Sequence, residues 1–174
     1  MKNTNRVRQN GSAASAARQA KSPAEFKIMR IRECPVSNSI MDKPPQIAAF
    51  WRKHVVTAPW FSNVKECLCV FLLNTRRRLI GFELVSLGSL DTIQFHSRDV
   101  FRTAVAKSAA AIIIAHNHPS GDPSPSQSDI QRTRELIRAG QVLKIDLLDH
   151  IIIGNARQIK SFRSLFELGY FYKA

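Results

Sequence analysis

Two histidines and an aspartate sit at a spacing that suits a metal ion. Residues 111–130 read Ala-Ile-Ile-Ile-Ala-His-Asn-His-Pro-Ser-Gly-Asp-Pro-Ser-Pro-Ser-Gln-Ser-Asp-Ile. Alternate residues of an extended strand project to one face, so His116 and His118 can reach the same ion. Asp129 can join them once the intervening loop folds back. Two imidazoles and one carboxylate leave a fourth tetrahedral position for water, which is the pattern of a catalytic rather than a structural zinc. Ser126 and Asp129 also carry the pattern of a helix N-cap and its third residue. The two roles are compatible, because a ligand can stand at a helix start.

The elements that must position these groups are legible in outline. Ala110 to Ala115 is a short apolar run of the kind a buried strand shows, and Pro119, Gly121, Pro123 and Pro125 break the chain after it. A helix is predicted from Ser126 or Ser128 with Ile130, Thr133, Leu136 and Ile137 on one face and Gly140 as its C′ residue. Upstream, Pro44 and Pro45 can open a helix carrying Ile47, Ala48, Phe50, Trp51 and Val55, ending before Pro59. Lys65 to Asn74 and Leu79 to Leu87 read as two strands of a hairpin joined by a polar turn. Ser97 can cap a helix that runs to about Ser108. One or two strands follow in 142–153, then a turn at Gly154-Asn155, a last strand in 156–162 and a short helix around Leu165. Strands mixed with helices predict one α/β domain over residues 40–174, with helices packed on a mostly antiparallel sheet.

Composition narrows the class. The chain has 174 residues, and 44% of them are apolar, as in globular proteins. No apolar run approaches the ~20 residues of a membrane helix. No apolar signal core opens the chain, so the cytoplasm is the expected location and no membrane partner is expected. Cys34, Cys67 and Cys69 are too few and too irregular for a disulfide framework, and Cys67 and Cys69 read as core thiols. The net charge is +13, and residues 1–32 hold eight Lys or Arg against Glu25 alone. That stretch reads as a disordered basic tail. Such a balance favours contact with a polyanion, most obviously DNA.

Hydrolysis at such a metal also needs a group to move a proton. Glu66, at the head of the first strand, and Glu83, inside the second, are both candidates by position. His150 beside Asp149 reads as a structural or ligand-supporting pair, and Asp122 as a turn former. Trp51, Trp60 and Phe61 read as packing residues, and His54 and His96 as residues without a catalytic role. A nucleobase deaminase is excluded, since neither its H-x-E nor its P-C-x-x-C is present.

His116-Asn117-His118-Pro119 followed by Ser126-x-x-Asp129 resembles the JAMM (MPN+) motif H-x-H-x(7)-S-x-x-D. The longer stretch from His116 to Asp129, with Leu148-Asp149-His150-Ile151-Ile152 and Gly88-x-Leu90, is similar to the RadC family over roughly residues 44–160. The resemblance implies a single JAB/MPN domain of cytidine-deaminase-like α/β architecture. It implies Zn2+ held by His116, His118 and Asp129, Glu66 rather than Glu83 as the general base, and Ser126 as a donor to the oxyanion. It further implies a zinc metallopeptidase or isopeptidase acting on a peptide or protein substrate. Asn117 departs from the Ser or Thr of eukaryotic JAMM enzymes and agrees with RadC proteins. Full-length RadC proteins also carry a helix-hairpin-helix-like region, for which this chain has a basic tail instead. The alternative function is a DNA-associated protein, in repair or on a mobile element, with a structural or vestigial zinc site.

Overall fold

The computed structural model describes residues 40–88, 95–155, 158 and 161–171. The basic tail expected at 1–32 lies outside the described residues, as does Cys34. What is described falls within a single compact unit.

Nine elements are resolved among these residues. Helix α1 (Pro44–Phe50) continues as one π-helical turn over Trp51–Val55. Strands β1 (Cys67–Leu73) and β2 (Leu79–Leu87) form the expected hairpin, and α2 (Ser97–Ala106) leads to β3 (Ala111–Asn117). Then come α3 (Gln127–Leu143), β4 (Asp146–Ile153) and the short β5 (Phe162–Ser164). The strand order is β2-β1-β3-β4-β5, and of the four pairings only β3–β4 is parallel. A parallel pair needs a crossover, and α3 is that crossover. The fold is the α/β arrangement the sequence predicts.

Central position explains why β1 and β3 are apolar without alternation. Every residue of both strands is buried. Cys67, Cys69, Phe71 and Leu73 pack with Ala111, Ile113 and Ala115 against α1 and its π-helical turn. The alternate residues Leu68, Val70, Leu72, Ile112 and Ile114 pack against α2 and α3. With helices on both faces, neither parity can be polar. Each large side chain so buried contributes about 1.5–3 kcal/mol. Cys67 and Cys69 are free, buried thiols of this core, as expected, and burial pushes the Cys69 thiol well up. Trp51 is fully buried, while Trp60 and Phe61 are half-buried against the same cluster.

Four local expectations are corrected. Helix α3 does not stop at Gly140; it runs to Leu143, and Lys144 takes the left-handed conformation that ends it. Gly140 is needed for closeness instead, since a Cβ there would lie 2.5 Å from the Ile145 carbonyl oxygen and 3.3 Å from Phe101. Ser97 is the first residue of α2 rather than its cap; His96 is the cap, and its N–H donates to Asp99 at 3.0 Å. Of the last strand expected over 156–162, residues 156, 157, 159 and 160 lie outside the described residues, 158 and 161 are not in a strand, and β5 covers Phe162–Ser164. Around Leu165 the chain forms turns and no helix, with Leu168 N–H bonded to Ser164 and Tyr170 N–H to Leu165.

Candidate metal centre

Strand β3 carries the expected site at its C-terminal end. His116 is its penultimate residue and lies on the α3 side, with the parity of Ile112 and Ile114. The chain stays extended one step further, and His118 N–H bonds to the Ile153 carbonyl at 2.8 Å. The loop then turns sharply, with Gly121 N–H closing on His118. It rests on the β4–β5 connection, where Ser161 Oγ donates to the Gly121 carbonyl at 3.4 Å. Gly154 lies between Ser161 and that carbonyl, where a side chain has no room.

Helix α3 brings in the carboxylate. Ser126 caps it: its Oγ accepts the Asp129 N–H at 3.1 Å and donates to Asp129 Oδ2 at 2.6 Å. Asp129 Oδ2 also accepts the Ser126 N–H at 2.8 Å. This reciprocal box fixes the carboxylate at the first turn, facing the histidines.

The three side chains converge. His116 Nε2 lies 3.0 Å from His118 Nε2 and 3.3 Å from Asp129 Oδ1, and His118 Nε2 lies 3.5 Å from Asp129 Oδ2. Among the described residues, these three form the group whose ligand atoms could hold a metal ion. A tetrahedral zinc with bonds of about 2.0–2.2 Å separates its ligand atoms by roughly 3.3–3.5 Å; the two edges to Asp129 fall in that range and the edge between the histidines, at 3.0 Å, is shorter. His118 Nδ1–H donates to the Asp122 carbonyl at 2.8 Å, which leaves Nε2 with its lone pair toward the other ligands. Asp122 thus acts through its backbone, while its carboxylate forms a turn by accepting the Ser124 N–H at 2.9 Å.

Charge in the cluster follows from these contacts. Burial would raise the Asp129 carboxyl, but the adjoining His116 and His118 rings and the Ser126 hydroxyl outweigh it and hold it well below the usual carboxylate range. Burial opposes charge on His118, yet Asp129 at one ring nitrogen and the Asp122 carbonyl at the other raise its pKa.

Glu66 and Glu83 are separated by register. Leu68 of β1 faces His116 of β3, and Glu66 lies two residues before Leu68, at the same end of the sheet as the histidines. Glu66 lines the same cleft, of about 860 Å³, as His116, His118, Ser126 and Asp129. Glu83 lies opposite Val70, outside that cleft, and is taken up by Arg102 of α2 at 2.6 Å.

Sequence reasoning missed what Asn117 does. It points to the face opposite His116, is 4% exposed, and ties β3 to both neighbours of Glu66. Its Oδ1 accepts the Cys67 N–H and its Nδ2 donates to the Lys65 carbonyl, each at 3.0 Å. The alternation of β3 held the signal, for a buried amide between two ligands needs partners. His150 is more than a structural companion of Asp149. Its Nε2 lies 2.8 Å from His116 Nδ1, and burial pushes its pKa well down. Asp149 itself is buried against the β5 end, where its carboxylate meets Ser164 Oγ and the N–H groups of His150 and Phe166. His54 packs on Phe50 and His96 caps α2, both away from the cleft.

A five-stranded sheet with helices on both faces, holding two histidines at a strand end and an aspartate at the next helix start, defines a JAB-type domain. Residues 41–168 match the family model described as RadC-like JAB domain, and the chain belongs to that family. It is similar to a UPF0758 protein of Caldanaerobacter subterraneus, 48% identical over 107 residues, covering 62% of this chain and 44% of the relative. A UPF0758 protein of Moorella thermoacetica is 55% identical over 85 residues, 49% of this chain and 37% of the relative. A third, from Desulfitobacterium hafniense, is 36% identical over 153 residues, 88% of this chain and 65% of the relative. The chain thus spans about two fifths to two thirds of the length of these relatives.

Proposed function

We propose that this domain is a zinc-dependent metallopeptidase or isopeptidase. The observation that carries the proposal is the placement of a carboxylate, Glu66, in the cleft formed by His116, His118 and Asp129. The residues fit the ion by donor type, by the two edges to Asp129 and by the tautomer of His118. A zinc ion held there supplies Lewis acidity, bringing the pKa of water to near ~7 and polarising a carbonyl. Glu66 takes the proton from the attacking water and delivers it to the leaving amine. Ser126 turns its hydroxyl from Asp129 toward the carbonyl oxygen and donates to the charge that develops there. The cleft is also lined by Val64, Phe95 and Pro119, apolar side chains that a peptide substrate could pack against. The reading of a peptide or protein substrate rests on the family resemblance.

The test is a proteome-derived peptide screen with the zinc-loaded chain and its Glu66→Gln variant. Cleavage by the first and none by the second, at equal zinc content, supports the reading. Equal cleavage by both removes Glu66, and loss of cleavage in Glu83→Gln instead reassigns the base.

A second reading is favoured by the charge of +13 and pI of about 10.4. It makes the chain a DNA-associated protein. Deleting residues 1–32 then weakens binding to duplex DNA and flattens its dependence on salt; unchanged binding takes the tail out of that role.

A further inference from the structure

Strand β4 and helix α3 add two side chains to the centre that its three ligands do not require. His150 Nε2 lies 2.8 Å from His116 Nδ1, and His150 Nδ1 lies 2.6 Å from Thr133 Oγ1. Thr133 Oγ1 lies 2.6 Å from the carbonyl oxygen of Asp129, one helical turn back. His116, Thr133 and His150 are each no more than 2% exposed, so water does not complete any of these bonds.

The direction of the chain is set from its far end. A carbonyl only accepts, so the Thr133 hydroxyl spends its one proton on Asp129. Its oxygen must then accept from His150 Nδ1–H. His150 is buried, and among the described residues no carboxylate accepts from its ring, so the imidazole is neutral with a lone pair on Nε2. That lone pair accepts from His116 Nδ1–H. The lone pair of His116 therefore lies on Nε2, the atom 3.0 Å from His118 Nε2 and 3.3 Å from Asp129.

We propose that His150 and Thr133 are positioning residues that set the tautomer and ring orientation of His116, anchored on the backbone of the third ligand, Asp129. The inference rests on the metal-centre reading above. It ties two ligands into one buried ring of contacts, so that β3, α3 and β4 must be docked before the donor set exists. It also excludes His150 as a fourth ligand, since both its nitrogens are engaged. The fourth position is left to the cleft. A histidine ligand is typically held by such a partner at its other nitrogen, and loss of the partner costs 10–100-fold in metal affinity.

Thr133→Val keeps the β-branched shape and removes the hydroxyl; Thr133→Ser restores it. With the full chain, zinc affinity measured by chelator competition is expected to fall roughly 10–100-fold in Thr133→Val and to stay within about threefold in Thr133→Ser. The visible spectrum of the cobalt-substituted protein should change in the first and not in the second, a signature that loss of packing alone would not give. Long-range 1H–15N correlation spectra of the metal-free wild type should show His116 and His150 both protonated at Nδ1. Unchanged zinc affinity and cobalt spectrum in a cooperatively folded Thr133→Val overturn the proposal. So does an Nε2–H form of His150, and that measurement decides the matter even if the variant fails to fold. Wild-type protein that binds no zinc would sink the metal reading instead, and the tautomer spectra would still judge the chain of hydrogen bonds.

Discussion

Replacing Asn117 by alanine should separate the two jobs of the His-Asn-His segment. Asn117 faces away from the metal ligands, so the donor set survives. What is lost is the clamp on residues 65 and 67. The Cys67 N–H, in a fully buried residue, is left without its acceptor at 3.0 Å. A stranded buried donor costs about 1–3 kcal/mol. Lys65 is exposed, so its carbonyl can turn to water and adds little. Truncating a packed side chain adds roughly another 1 kcal/mol. The expected loss is therefore about 2–4 kcal/mol, or roughly 8–16 °C in Tm for a domain of this size. Urea unfolding of the metal-free protein gives the first number, provided the slope m is unchanged. Hydrogen exchange gives a local check, since the Cys67 amide should lose protection while that of Val70, mid-strand, keeps most of its own. Zinc affinity should stay within about threefold of wild type, and hydrolysis, on the proposed reading, should fall as in Glu66→Gln, because the residues on either side of Glu66 are no longer clamped beside the cleft. A loss below about 1 kcal/mol, with Cys67 as protected as before, would refute the clamp and the magnitudes built on it.

Other outcomes follow from the same contacts. His116→Ala and Asp129→Ala should each abolish stoichiometric zinc by metal analysis, whereas Glu66→Gln should retain it; retention in both ligand variants would remove the centre. Asp149 gives a pH dependence. Burial pushes its pKa up to about 6 against its hydrogen bonds to Ser164, Phe166 and His150, while the unfolded chain has about 3.9. The folded state thus binds the extra proton, so its contribution is fully present below pH ~4 and is lost as pH rises through ~6, by roughly 2–3 kcal/mol. Unfolding free energies of metal-free wild type and Asp149→Asn should diverge in that window, and parallel curves would count against the buried carboxyl. Gly140→Ala should lower stability by about 1–3 kcal/mol, because the added Cβ meets the Ile145 carbonyl; an unaltered melting curve would show that the α3–β4 turn has slack.

Much of the candidate metal centre was readable without coordinates, for reasons of local chemistry. Alternation along a strand puts His116 and His118 on one face whatever surrounds them. A Ser three residues before an Asp at a helix start forms the same box in most contexts, and Ser126 with Asp129 does so here. The β1–β2 hairpin and the Pro44 helix start are likewise set by nearby residues, and both fell where their turn and proline signals put them. Long-range pairing was not readable in this way. Residues of β1 carry no mark of which strand they will meet, so the residues alone left Glu66 and Glu83 level as the base. The β1–β3 pairing, which brings Glu66 to the cleft of His116 and His118, and the Arg102 ion pair, which occupies Glu83, come only from the folded sheet. Gly140 misled for a related reason. Its signal as a helix end is local, but the close approach of Ile145 that demands a glycine is tertiary. The same holds for His150 and Thr133, far apart in the chain, whose bonds exist only because β4 lies parallel to β3 beneath α3. The candidate ligand set is thus a matter of sequence spacing, while proton position, the choice of candidate base and ring orientation are matters of packing, because each depends on atoms brought together by strand order.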